Sequence, residues 1–221
     1  MHTYLLTLLG GLGITIVLTL ASLVVGLLTA ILLTIGVLFG NRLLKYSIHA
    51  FLFFMRGTPL LVQIFLIYYG SGQFAWLRES FLWIGLRHPM VCAILALAMN
   101  SACYTSVLLQ GAIASVPKNE VDACAAMGMS KWLAFRRVIF PRAFRIALPA
   151  YSNEVLMILK GTALVSTITL LDFMGVIQQL IATTYLPIPF YLLAGAVYLI
   201  LNALITGIFK LLMRYHTASI T

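Results

Sequence analysis

Three ionisable residues in an otherwise apolar stretch are the first sign of chemistry in this chain. Glu154, Lys160 and Asp172 fall within about 148–173, in company with Asn153 and Thr162, and the amides Gln63 and Asn100 interrupt two other apolar blocks. A charge at the centre of a bilayer costs roughly 2.5–3.5 kcal/mol on insertion scales, so such groups face a bundle interior, water or one another. The chemistry that suits them is holding a polar or charged solute, or tying helices together. Two roles are open to Glu154: an anion in a polar path, or an anchor bonded to Arg142 or Arg145. Lys160 can pair with Asp172 of a neighbouring subunit or with a solute carboxylate. Asp172, towards the end of its stretch, also suits a plain interface position. Gln63, Asn100 and Asn153 either bond across helices or touch a solute.

Catalytic chemistry has no comparable support. His2, His49, His88 and His216 lie in loops, at interfaces or in the tail, and Cys92, Cys103 and Cys124 lack metal-ligand spacing. There is no GxxxxGK[ST] phosphate loop. An integral membrane enzyme is therefore disfavoured, and neither a metal nor a cofactor is expected on this chain.

A second constellation is DACAAMGMSKWLAFRRVIFP, Asp122 to Pro141. It is polar between two apolar blocks and reads as two short helices with a bend. Asn119 is the expected cap of the first, with Glu120 and Asp122 in its first turn, where the positive helix end favours acids. Gly128 stops that helix or admits another backbone. Ser130 caps the second, Lys131 to Phe140, and Pro141 ends it.

The elements that position these residues follow from hydropathy. Of 221 residues, 62% are hydrophobic and 9% charged, where a soluble domain carries about 25%. The class is a polytopic all-α membrane protein. A span needs about 20 apolar residues. Five are expected, at about 12–39, 58–75, 90–112, 148–173 and 191–212, with a loop at about 117–141. Leu43–Met55 is an interfacial elbow or the start of the second span, and Gln178–Pro189 is a loop. The first span is expected to be retained, since no basic n-region precedes it. The net charge of +9 is clustered beside apolar blocks, which marks topology and not nucleic-acid binding. Arg42, Lys45, Arg56, Lys118, Lys131, Arg136, Arg137, Arg142, Arg145, Lys210 and Arg214 fall on one side, against Arg78 and Arg87 on the other. The positive-inside rule then places the N-terminus outside and the C-terminus in the cytoplasm. Five spans without an inverted repeat argue against a complete ion-driven transporter in one chain.

The loop resembles the cytoplasmic EAA loop of ABC importer permeases. It has an acid and an alanine (Asp122, Ala123), a glycine six after the acid (Gly128), and Val138 and Phe140 before Pro141. It departs in Asp for Glu, Cys124 for alanine and Phe140 for leucine. FMRGTPLLVQIFLIYYG, YSNEVLMILKGTALVSTITLLDFMG and SVPKNEVDACAAMGMS resemble the polar amino acid subfamily, and within it the permeases of arginine transporters. The likeness covers essentially the whole chain. It implies that residues 1–221 form one transmembrane domain of five helices in a bacterial inner membrane. The domain would pair with itself or with a homologous permease subunit. Two ATPase subunits, which bind ATP with Mg, would dock on Asp122, Ala123, Ala126, Gly128, Met129 and Ser130. A periplasmic binding protein would deliver the amino acid, and transport would run by alternating access. Some basic amino acid permeases carry an acid directly after the lysine equivalent to Lys160; here that residue is Gly161, which implies that the partner supplies the anion.

Overall fold

The computed structural model describes residues 2–217, with side chains over 5–214. The side chains of His2 and His216 and residues 218–221 lie outside the described residues. Among the described residues the chain is helical, with no strand.

Helix α1 (His2–Phe39) begins well before Leu12. Gly10, Gly11 and Gly13 do not stop it, because apolar surroundings offer the backbone no hydrogen-bond partners except its own. Asn41 turns the chain into α2 (Arg42–Gly57), its side chain accepting the Leu44 N–H at 2.8 Å. Thr58 and Pro59 then break the helix. A residue before proline is pushed to extended backbone, and Thr58 sits at φ −105° and ψ 143°. The chain resumes as α3 (Leu60–Phe65) with a π turn over Leu66–Gly70, bent 107° from α2. The regular segment after the break is thus shorter than Thr58–Ala75, and Leu43–Met55 belongs to the first half of a broken pair.

Short helices α4 (Ala75–Arg78) and α5 (Trp83–Leu86) lead to α6 (Pro89–Ala114). The projecting loop holds α7 (Lys118–Ala126) and α8 (Lys131–Ala134). A π turn at Phe135–Ile139 runs on into α9 (Phe140–Gly161). Pro141 therefore does not end the second loop helix. The Phe140 N–H bonds to the Phe135 carbonyl across the wide turn, and proline, lacking an N–H, is tolerated at the start of the next α-helical segment. A 3₁₀ segment, Thr162–Ile168, follows and stops at Thr169, whose φ is +67°. Then come α10 (Phe173–Thr184) and α11 (Pro187–Thr217). Residues 178–184, expected in a loop, are helical. The two prolines begin α11 and do not mark a long loop; the turn is made by Tyr185 at φ +58°.

By length and composition α1, α6 and α11 each suffice to cross a membrane, and the two bent pairs, α2 with α3 and the α9 run with α10, bring the number to as many as five. Leu18, Ile64, Ala93, Ala96, Leu97, Val165 and Ile168 form a core joining α1, α3, α6 and the 3₁₀ segment. The buried alanines of α6 permit close helix approach, the usual basis of packing in lipid. The Thr34 and Ser106 hydroxyls meet across α1 and α6 at 3.1 Å.

Candidate functional site

The break between α2 and α3 opens a cavity of about 470 Å³, lined by Arg56, Gly57, Thr58, Pro59 and Leu60, by Asn100 and Tyr104 of α6, and by Glu154, Met157 and Ile158 of α9. Gln63 holds the break in shape. Its amide nitrogen donates to the Met55 carbonyl at 2.6 Å, the Thr58 carbonyl at 3.1 Å and the Thr58 hydroxyl at 2.9 Å, while its oxygen accepts from Asn100 at 3.1 Å. Those carbonyls belong to the end of α2, where in-helix donors run out. Gln63 is buried, so its role is to satisfy the break and tie it to α6; Asn100 both makes this tie and lines the cavity.

Arg56 lies over the Tyr104 ring, 5.2 Å from its centroid, and the Tyr104 hydroxyl donates to the Arg56 carbonyl at 3.2 Å. The cavity thus brings a guanidinium and a carboxylate, Arg56 and Glu154, to one space. In the sequence Arg56 counts only among the cations of one side, and Tyr104 is not among the expected residues. The available signal was spacing: Tyr104 stands one helical turn after Asn100 on the same face.

The other expected residues are elsewhere. Asn153 and Lys160 are exposed and do not line the cavity. Thr162 is fully buried and donates to the Leu159 carbonyl at 2.7 Å. Asp172 is also fully buried and caps α10, its two oxygens accepting from Gly175 at 2.9 Å and Met174 at 3.3 Å. The Phe173 N–H goes to Thr15 of α1 at 3.0 Å. Asp172 therefore offers no surface in this structure, and its carboxylate is taken up in capping α10. Glu154 is not bonded to Arg142, which pairs instead with Glu120 at 2.7 and 3.3 Å. Gly161 is buried, and a Cβ there would stand 3.0 Å from Leu60 Cδ2 and 3.4 Å from Leu97 Cδ2. An acidic side chain at that position would press on the α3 and α6 wall.

At the projecting loop, Pro117 and not Asn119 precedes α7; Asn119 accepts only from the adjacent Glu120 N–H. Starting two residues earlier keeps Glu120 in the first turn and moves Asp122 into the second. The α7 end is closed by Gly128 at φ +70°, with Gly128 N–H bonded to Ala125 and Met129 N–H to Cys124, both at 3.0 Å. This is the paired closure that a left-handed glycine makes. Ser130 caps α8 by accepting the Leu133 N–H. Cys124 and Val121 fix α7 against the bundle, while Asp122, Ala123, Ala126 and Gly128 are exposed and Met129 is half-buried. Among the described residues, Arg142–Glu120 is the only ion pair, and it ties α7 to α9.

A helical bundle with a polar cavity at a helix break and a two-helix loop projecting from it defines a membrane permease component. The chain belongs to the family described as binding-protein-dependent transport system inner membrane component, which matches residues 22–215. It is 44% identical over 198 residues to the nopaline transport system permease protein NocM of Agrobacterium fabrum, covering 89% of this chain and 82% of that protein. It is 42% identical to the arginine ABC transporter permease protein ArtM of Haemophilus influenzae, covering 96% and 91%. The ArtM of Escherichia coli K12 is also 42% identical, covering 97% and 96%. A crystal structure of an amino acid ABC transporter with histidines superposes with a TM-score of 0.87 at 27% identity, covering 97% of this chain and 96% of that one. A chain of the MetNI methionine ABC transporter in an inward-facing conformation, at 19% identity and a TM-score of 0.72, covering 93% of this chain and 92% of that one, has the same fold.

Proposed function

We infer that this chain is the permease subunit of an ATP-driven amino acid importer, for arginine or another basic or polar amino acid. The observation that carries the reading is the cavity at the α2–α3 break, where Glu154 and Arg56 stand among apolar helices. Its volume is in the range of small-molecule sites. Glu154 suits a cationic side chain or an ammonium, and Arg56 suits a carboxylate. The names of the relatives, permeases for arginine, nopaline and octopine, support the same solute class.

Transport then runs by alternating access. The permease pairs with a second copy or a homologous subunit in a bacterial inner membrane, N-terminus outside and C-terminus cytoplasmic, as the cation distribution supports. A binding protein delivers the amino acid from outside. ATP, held with Mg by two separate ATPase subunits, closes those subunits around the exposed α7–α8 loops. The loops act as levers through Val121, Cys124 and the Glu120–Arg142 pair, and hydrolysis resets the path. This chain contributes the path and no catalysis.

The test is uptake of labelled arginine into vesicles carrying the assembled complex. Glu154→Gln is expected to raise the half-saturating concentration about tenfold, the loss of one charge-assisted contact, with normal recovery of the complex. Unchanged uptake removes Glu154 from the path. Lys160→Met separates a path role from an assembly role: lost uptake with intact complex means the former, lost complex the latter.

A further inference from the structure

The cavity at the helix break is not the only polar pocket between α6 and α9. A second, of about 360 Å³, is lined by Ser115, Pro117, Arg142, Arg145 and Ile146. Asn100, Tyr104, Gly111 and Ser115 recur on one face of α6 at helical spacing, so both pockets lie on the same side of α6. Eleven residues separate Tyr104 from Ser115, about 16 Å along the helix. Between them Gly111 is exposed, and a Cβ there would meet nothing within 4 Å. The second pocket stands at the end of the bundle that carries the α7–α8 loop.

Its polar groups are available. Arg145 is half-buried and makes no ion pair or side-chain hydrogen bond with any described residue. Arg142 gives Nε and one amino group to Glu120, which leaves donors of its planar fork unused. The Ser115 hydroxyl donates to the Gly111 carbonyl at 2.7 Å, so its oxygen remains free to accept. Pro149 has no N–H to give the Arg145 carbonyl, which is left without its in-helix donor. Two guanidinium groups beside neutral acceptors, on an apolar floor of Pro117 and Ile146, match a carboxylate next to an ammonium.

We propose that this pocket is an exit site for the transported α-amino acid, with its carboxylate on Arg145 and Arg142 and its ammonium on Ser115. The assignment rests on the function inferred above.

Because Cys92, Cys103 and Cys124 are buried, a thiol introduced by Ile146→Cys reports the pocket. In the assembled complex in nanodiscs, the rate of maleimide labelling at that thiol is measured against arginine, histidine and argininamide, which lacks the carboxylate. Arginine or histidine is expected to protect, argininamide is not, and adding Arg145→Gln is expected to raise the half-protecting concentration about tenfold. Arg87→Gln, at the opposite end of the bundle, serves as the charge control and is expected to leave protection unchanged. No protection by either amino acid, equal protection by argininamide, or protection that follows anionic lipid content and ignores amino acid overturns the site. Labelling does not depend on transport, so protection with failed arginine uptake would leave a binding site and sink the function reading, whereas uptake without protection would sink the exit site alone.

Discussion

Replacing Gln63 by leucine removes the group that closes the α2–α3 break. The two amide hydrogens, shared among the Met55 carbonyl and the Thr58 carbonyl and hydroxyl, and one acceptance from Asn100 disappear. Each hydrogen bond contributes about 0.5–1.5 kcal/mol net, and a buried carbonyl left unsatisfied costs about 1–3 kcal/mol. Thr58 can relax towards the cavity, where water can serve its carbonyl, so the main residual cost falls on the Met55 carbonyl and the Asn100 amide. A destabilisation of about 2–3 kcal/mol follows. The Gln63–Asn100 tie itself crosses two helices, and such ties measure about 0.6 kcal/mol on average in membrane proteins, with an upper value near 1.7. A cycle of Gln63→Leu, Asn100→Leu and the double variant should therefore show a coupling of about 0.6–1.7 kcal/mol. The assay is thermal unfolding of the assembled complex in one detergent, with arginine uptake measured on the same samples. Uptake should fall with stability, since the cavity wall is the same structure. Wild-type stability for Gln63→Leu, or strict additivity in the cycle, would refute the assignment of Gln63 as the closing group.

Asp172→Ala should lower stability by about 1–2 kcal/mol through loss of the α10 cap, and Asp172→Asn, which keeps an acceptor, should recover most of it; equal loss in both would mean that the charge matters and not the cap. Gly128→Ala carries only the strain of the left-handed backbone, about 1–2 kcal/mol, because nothing lies within 4 Å of a Cβ there. Gly128→Trp adds bulk on an exposed face, so copurification of the ATPase should fall further for Trp than for Ala, and equal recovery would remove Gly128 from the docking surface. Charge reversal at Glu120→Arg should weaken uptake per ATP hydrolysed, and the swap with Arg142→Glu should restore part of it; no rescue would leave the pair a solvated contact.

Local signals in the sequence were legible where chemistry and position coincide. Ser130 and Gly128 each have few alternatives beside a helix end, and both do what their types suggest. The Thr58–Pro59 break was also written locally, though its depth in the bundle was not. Gln63 shows why: its partners are a carbonyl eight residues back and an amide thirty-seven residues on, and no periodicity announces either. Asp172 misled for a related reason. A buried acid that caps a helix and a buried acid that lines a path have the same neighbours in sequence. The difference lies in the turn at Thr169, a β-branched residue with φ +67°, which no propensity favours. In the sequence Arg56 is one of the cations beside apolar blocks; the 107° bend turns that position into a cavity wall.

The most direct measurement of the central claim is uptake of labelled arginine into vesicles that contain this chain with its ATPase and binding protein, with ATP either present or absent on the side of the α7–α8 loop. Accumulation that requires the ATP and falls sharply with Glu154→Gln is the expected result. Arginine accumulation of equal rate without ATP, or no accumulation of any basic or polar amino acid with it, would contradict the claim.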